Sequence, residues 1–404
     1  MSSSRTIEPA LETRTRARHA VLAGFLGWTL DAFDFFVLVF CLSAVGKTFG
    51  RSIPAIALTL TITLAMRPVG AFVFGLMADH YGRRLVLLAN VAFFTLAEVL
   101  SGLAQSYPQF FLLRLLYGIG MGGNWGVGAS LAMESAPPRW RGILSGLLQE
   151  GYALGNVLAA IAYFTIFPHW GWRAMFFIGA APGLLTMLIC LRVEEPRAWQ
   201  ESRTDWATYR QAIFRNSRLF LYLIALMAAM NFISHGTQDL YPTFLQRQRH
   251  FDVNATAITV GISMIGAILG GLTFGHFSDR KGRRRAMVSA VLLAVTALPL
   301  WILAPNHPLI ILGAFIMQFM VQGAWGVIPA HINELSPPQL RGFFPGLAYQ
   351  CGVLIASSIS YLEALIGEHF SYTVSMGSLA FVVLCFGAII IWVGPEAKGV
   401  SFVR

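Results

Sequence analysis

Apolar runs of roughly 20 residues, each long enough to cross a bilayer as a helix, recur along almost the whole of this chain. Twelve can be delimited, at about 20–45, 56–78, 85–104, 110–133, 143–166, 174–192, 219–245, 256–278, 286–304, 308–331, 343–366 and 372–394. Inside lipid each segment must satisfy its own backbone hydrogen bonds, which leaves helices and excludes open sheets. Only 12% of the 404 residues are charged and 56% are hydrophobic, about half the charge of a soluble domain. The expectation is an all-α, polytopic membrane protein with twelve transmembrane helices.

A net charge of +10 invites a nucleic-acid reading, but the placement of the charge argues against it. With the N-terminus on the cytoplasmic side, 22 of the 29 Lys and Arg fall in the two tails or in loops on that side. The opposite loops hold Lys47, Arg51, Arg173, Arg247 and Arg249, while Arg67 and Arg114 lie within runs. This is the positive-inside bias, which puts both termini in the cytoplasm of a plasma membrane, in a bacterium the inner one. No small-residue cleavage site follows the first run, so it reads as a retained helix and not as a signal peptide. Cys41, Cys190, Cys351 and Cys385 are scattered through apolar runs without metal-ligand spacing. No cofactor is expected.

The chain also repeats itself. "GLMADHYGRR" at 75–84 returns as "GHFSDRKGRR" at 275–284, an offset of 200. The same offset pairs "WGV" at 125–127 with 325–327, and Glu134, Pro137, Pro138, Arg141 and Gly142 with Glu334, Pro337, Pro338, Arg341 and Gly342. The chain therefore divides into a tail (1–19), a six-helix bundle (20–192), a charged linker (193–218), a second parallel six-helix bundle (219–394) and a tail (395–404). Such pseudo-symmetric halves resemble the major facilitator transporters, whose fold places substrate between the halves near mid-membrane.

The repeated motif strengthens that resemblance. Gly75, Asp79, Gly82, Arg83 and Arg84, with Gly275, Asp279, Gly282, Arg283 and Arg284, look like the facilitator signature after the second helix of each half. Glycines permit the tight turn and close helix approach. Each Asp can accept from a helix N-terminus or from an Arg such as Arg141, and the arginines are expected at the headgroups. These residues, with Arg341, read as conformational latches that do not touch substrate. The fourth run keeps Glu134, Pro137 and Arg141-Gly142 but lacks the Pro-x-Tyr-x-x-Glu ending of sugar porters, which disfavours a hexose.

Ionisable groups at membrane depth are functional candidates by default. Asp31 and Asp34 are spaced i, i+3 on one helix face, ~16–21 Å into the bilayer at 1.5 Å per residue. Arg67 lies ~18 Å from Asp79 along its helix, again near the middle. Its possible partners are Asp31, Asp34 or a bound anion. In the seventh run, "NFISHGTQDLYPTF", residues Asn231, Ser234, His235, Gln238 and Asp239 form one polar stripe at helical spacing. Pro242 has no N–H, so the Gln238 carbonyl loses its helical partner.

That stripe, Asn231-x-x-Ser234-His235-x-Thr237-Gln238-Asp239-x-x-x-Thr243, resembles the seventh-helix signature of the Jen-type carboxylate:proton symporters. "LDAFDF", "RPVGAFVFG" and "GLAYQCG" are similar to the same group and to its relatives, the sialate:proton symporters. The resemblance implies uptake of lactate, pyruvate, acetate or related short acids with a proton. A monomer is expected. Its short tails and brief linker depart from the fungal members.

The residues accommodate that chemistry on their own terms. Arg67 is the charged donor available to a carboxylate, and Asn231, His235, Gln238 and Gln350 can orient a small acid. His235 exchanges protons in the physiological range; Asp239, Asp31, Asp34 and Glu150 can do so when buried. Tyr152 and Asn156 are wall residues or helix-packing contacts, and Glu98 has no assigned role. The rivals are a carrier of sialate or another larger organic acid, a drug antiporter, and a carboxylate sensor. The fifth run lacks the antiporter's proline, and a sensor of this kind carries longer tails. Nothing in the sequence supports an enzyme.

Overall fold

The computed structural model describes residues 7–402, and every regular element among them is helical. The first bundle comprises α1 (Ile7–Phe49), α2 (Ile53–Tyr81), α3 (Arg83–Leu103), α4 (Tyr107–Ser135), α5 (Arg141–Gln149), α6 (Gly151–Thr165) and α7 (Phe167–Arg192). The linker folds into α8 (Arg197–Ser202) and α9 (Trp206–Arg215). The second bundle comprises α10 (Ser217–Gln238), α11 (Tyr241–Arg247), α12 (Val253–Lys281), α13 (Arg283–Leu303), α14 (His307–Leu335), α15 (Phe344–Ala356), α16 (Ile359–His369) and α17 (Tyr372–Val393). The repeat seen in the sequence is structural: α12, α13 and α14 begin and end 200 residues after α2, α3 and α4.

Among the described residues, nine segments are long and apolar enough to cross a membrane. The fourth run forms a single helix, α4, diluted by its glycines and by Arg114, Asn124 and Glu134. Three runs expected as single helices are broken. The fifth bends at Glu150, between α5 and α6. The seventh breaks at Asp239 and Leu240, where Pro242 deprives the Gln238 carbonyl of its donor. The eleventh breaks at Ser357 and Ser358, and the Ser357 hydroxyl donates back to the Leu354 carbonyl at 2.7 Å, competing with the helical ladder.

Glycine is required at two kinds of place, a helix end and a helix crossing. Gly82 and Gly282, at φ 116° and 103°, make the sharp turns that end α2 and α12. Gly122 of α4 lies so close to the Arg67 carbonyl that a Cβ would collide with it, so α2 and α4 touch backbone to backbone beside that arginine. Contacts between the halves concentrate toward the face carrying the basic loops, with α5 against α12 and α14, and α15 against α2 and α4.

Candidate substrate site and gating latches

Two matching latches hold the halves together at the basic face. Asp79, at the end of α2, accepts from the backbone N–H of Gly342 at 2.7 Å and of Phe343 at 3.1 Å, just ahead of α15. Asp279, at the end of α12, accepts from Gly142 at 2.8 Å and Ile143 at 3.1 Å, in the first turn of α5. Each aspartate is steadied by the arginine four residues on: Arg83 donates to Asp79 at 2.6 Å and Arg283 to Asp279 at 2.8 Å. Those arginines also fork onto Glu134 and Glu334, with Nη2 at 3.0 Å in both cases. A carboxylate accepting several N–H donors at a helix N-terminus makes a strong, charge-assisted contact.

The geometry corrects two expectations. Arg83 and Arg283 are buried, not at the headgroups, because glutamates from α4 and α14 draw them inward. Arg141 does not pair with a latch aspartate but crosses to Glu334 at 2.9 Å. The linker joins the first latch, with Trp199 donating to the Asp79 carbonyl and the Tyr209 hydroxyl to its carboxylate, both at 2.9 Å. Burial, then the Asp79 charge, push the Tyr209 phenol well above its ordinary range and keep it a donor.

Deeper in, Arg67 is 5% exposed, with its guanidinium carbon 5.8 Å from the centre of the Tyr349 ring. Among the described residues its Nε and Nη2 have no hydrogen-bond partner. Asp31 and Asp34 are fully buried, and neither carboxylate has a hydrogen-bond partner among those residues. Asp31 lies close enough to Arg67 for their charges to interact, whereas Asp34 is under the charges of Glu98 and Arg114. The two aspartates still feel each other, as the shared face implies, but the arginine acting on each is different: Arg67 for Asp31 and Arg114 for Asp34. Glu98 finds its place here, in a buried ion pair with Arg114.

Aromatic rings wall this region. Trp28 lies against Tyr152 at 5.4 Å and Tyr349 at 6.2 Å, and Tyr349 meets Trp125 at 4.5 Å and Trp325 at 6.0 Å. The Gln350 amide donates to the Gly122 carbonyl at 3.4 Å, and its oxygen has no partner among the described residues. Glu150 reaches across the interface to Gly271 of α12. Asn156 is half-buried on α6 and joins none of these contacts.

The polar stripe of α10 divides in function. The Asn231 amide bonds back to the Met227 carbonyl at 2.7 Å, so its N–H₂ is engaged within its own helix. Gln238 donates to Gln318 of α14 at 2.8 Å, and Gln322 donates to Ser234 at 3.3 Å. This part of the stripe joins two helices. His235 and Asp239 approach at 3.2 Å with side chains 41% and 38% exposed. The Asp239 charge also acts on Tyr152 of the other half.

Gln318 and Gln322 escaped the sequence reading, although their i, i+4 spacing in an apolar run was a usable signal. Glu363 was also missed: it is buried on α16 beside Gly236, with no carboxylate partner among the described residues. Trp125 and Trp325 stood out only as part of the repeated WGV, and Tyr349 only within GLAYQCG; none was assigned to the site. The assembled region can hold a small anion on a cation between aromatic walls, with titratable groups on either side.

Residues 24–259 match the family model described as Major Facilitator Superfamily, and 211–399 match the one described as Sugar (and other) transporter. A carboxylic acid transporter protein homolog of Saccharomyces cerevisiae is 29% identical over 86% of this chain, which spans 61% of that relative's length. A probable 4-methylmuconolactone transporter of Cupriavidus pinatubonensis is 30% identical over 94% of this chain and 90% of its own. The proton:xylose symporter XylE, solved with 6-bromo-6-deoxy-D-glucose, superposes with a TM-score of 0.77 at 17% identity, over 96% of this chain and 98% of that one. The chain belongs to the Major Facilitator Superfamily and is a multi-pass membrane transporter, not an enzyme.

Proposed function

We propose that this chain is a secondary transporter that carries a short monocarboxylate, of the lactate, pyruvate or acetate class, together with a proton by alternating access. The observation that carries this reading is Arg67, a buried guanidinium with two N–H groups that nothing in the described protein satisfies. Asp31 lies within reach of its charge but bonds to none of its N–H groups; leaving them unsatisfied at this depth is expensive, and a planar carboxylate is the ligand whose two oxygens suit its fork. Gln350 offers a free acceptor for a substrate hydroxyl. The similarity to a carboxylic acid transporter homolog supports the same class.

His235 and Asp239 are the proposed proton carriers. They form an exposed, hydrogen-bonded pair on the side away from the latches, where a proton from outside first meets a titratable group. Asp31, Asp34 and Glu150 are the alternative carriers. With the basic face in the cytoplasm, the latches close the path to that side in this state. Anion plus proton moves no net charge, so uptake does not work against an inside-negative potential.

A second reading, a larger organic acid, is favoured by the broad aromatic wall around Trp28, Tyr152 and Tyr349. The test is uptake into proteoliposomes across C2–C6 acids under an imposed pH gradient, with sialate and muconate as competitors. Lactate or acetate should compete and sialate should not. His235→Gln or Asp239→Asn should abolish accumulation while leaving counterflow intact. Normal accumulation in both variants would move the proton to Asp31, Asp34 or Glu150.

A further inference from the structure

The segment after the last helix returns to the interface between the halves. Phe402 is 8% exposed and packs among Val21, Ala129, Met133 and Leu148 of the first half, Ala198 of the linker and Ala330 of the second half. The guanidinium carbon of Arg141 lies 3.7 Å from the centre of its ring, and that of Arg341 lies 3.8 Å from it. Arg141 also donates to the Val400 carbonyl at 3.0 Å. One aromatic ring thus lies between two arginines that occupy the same position in the two halves.

We propose that Phe402 is a gating residue, a ring clamped by Arg141 and Arg341 only while the basic face is closed. Two guanidinium groups at one interface repel, and a π face is attractive to each. Arg341 needs this more than its twin. Arg141 has Glu334, whereas the Nε and Nη1 of Arg341 have no hydrogen-bond partner among the described residues. Burial, reinforced by the nearby charges of Arg83 and Arg141, pushes the Arg341 guanidinium down to about 10, against the opposing pull of Glu134.

When the halves part at this face, Arg141 moves with α5 and Arg341 with the loop ahead of α15. The ring then contacts one of them at most, so it binds the closed state better than the open one and shifts the equilibrium by that difference. A cavity of about 540 Å³, lined by Ala17, Pro137, Glu194, Arg197 and Ser401 among others, adjoins the ring and gives the segment room to leave without unfolding either bundle.

The test does not depend on the substrate. A cysteine placed by Ala330→Cys, buried between the halves, in a full chain whose four native cysteines are replaced by serine, reports opening through its rate of labelling by a water-soluble maleimide after solubilisation. Phe402→Ala should raise that rate roughly tenfold, as expected for loss of the one cation–π contact by which the closed state exceeds the open one. Phe402→Trp should hold it at or below the parent rate. Phe402→Leu, which retains an apolar side chain without a π face, should behave like Phe402→Ala. A parent rate in Phe402→Ala, or equal rates for Leu and Phe, would overturn the clamp.

Discussion

Asp79 and Asp279, Arg83 and Arg283, and Glu134 and Glu334 stand 200 residues apart and share a common set of bonds in the two halves, to which only Asp79 adds the Tyr209 hydroxyl and only Glu334 adds Arg141. In the middle of the membrane the same register pairs unlike residues: Asp31 with Asn231, Asp34 with Ser234, Glu150 with Gln350, and Arg67 with Ala267. Even the surroundings correspond. Gln350 donates to the Gly122 carbonyl, while Glu150 faces Gly271, beside the carbonyl of Gln322, the counterpart of Gly122. Closing a gate between two halves asks the same of each. A substrate site between the halves has no such need of symmetry: at these four positions the first half carries charge where the second carries neutral residues, whereas His235 and Asp239 of the second half face Phe35 and Val39 in the register of the first.

The largest effect that sharpens this contrast is expected at Arg67, whose counterpart is an alanine. Arg67→Lys keeps the charge but not the fork, and should weaken carboxylate binding about a hundredfold, the worth of roughly 2–3 kcal/mol of charge-assisted hydrogen bonding. Equilibrium binding of the transported acid checks this; unchanged affinity in a folded, membrane-inserted variant removes Arg67 from the site.

A smaller effect should appear at the latches, where the halves are alike. Asp79→Asn and Asp279→Asn each weaken two N–H contacts, and each should change turnover about tenfold while leaving substrate affinity within a few-fold. The two changes should be similar in size. An effect confined to one variant would break the symmetry inferred for gating. The smallest effect is expected when the first half is made to copy the second. Asp31→Asn and Glu150→Gln should each alter pH-driven accumulation by no more than about threefold if His235 and Asp239 carry the proton. A collapse in either variant would place the proton in the first half.

Much of this was legible in the sequence because it repeats. The 200-residue offset anticipated the correspondence of α2, α3 and α4 with α12, α13 and α14 and the matching aspartates at their ends, and an arginine amid apolar residues announced itself by its expense. Pro242 announced the lost hydrogen bond in the seventh run, although that run was still expected to stay one helix. The bends at Glu150 and Ser357 had no comparable signal, since neither follows from a missing N–H. Arg83 and Arg283 looked like headgroup anchors because their partners, Glu134 and Glu334, lie 51 residues further along the chain. Glu98 was opaque for the same reason, because only packing brings Arg114 to it. Asp31 and Asp34 share a helix face by spacing, yet the arginines they answer to, Arg67 and Arg114, lie on different helices and only packing brings each near.

The latches also bear on how the gate responds to heat. Apolar contact near room temperature is driven by entropy with little enthalpy, whereas hydrogen-bonded and ionic contacts close with release of heat. Asp79 and Asp279 close the basic face through backbone N–H donors and buried arginines. Opening should therefore absorb heat: cooling should hold the carrier closed at that face, and warming should open it steeply.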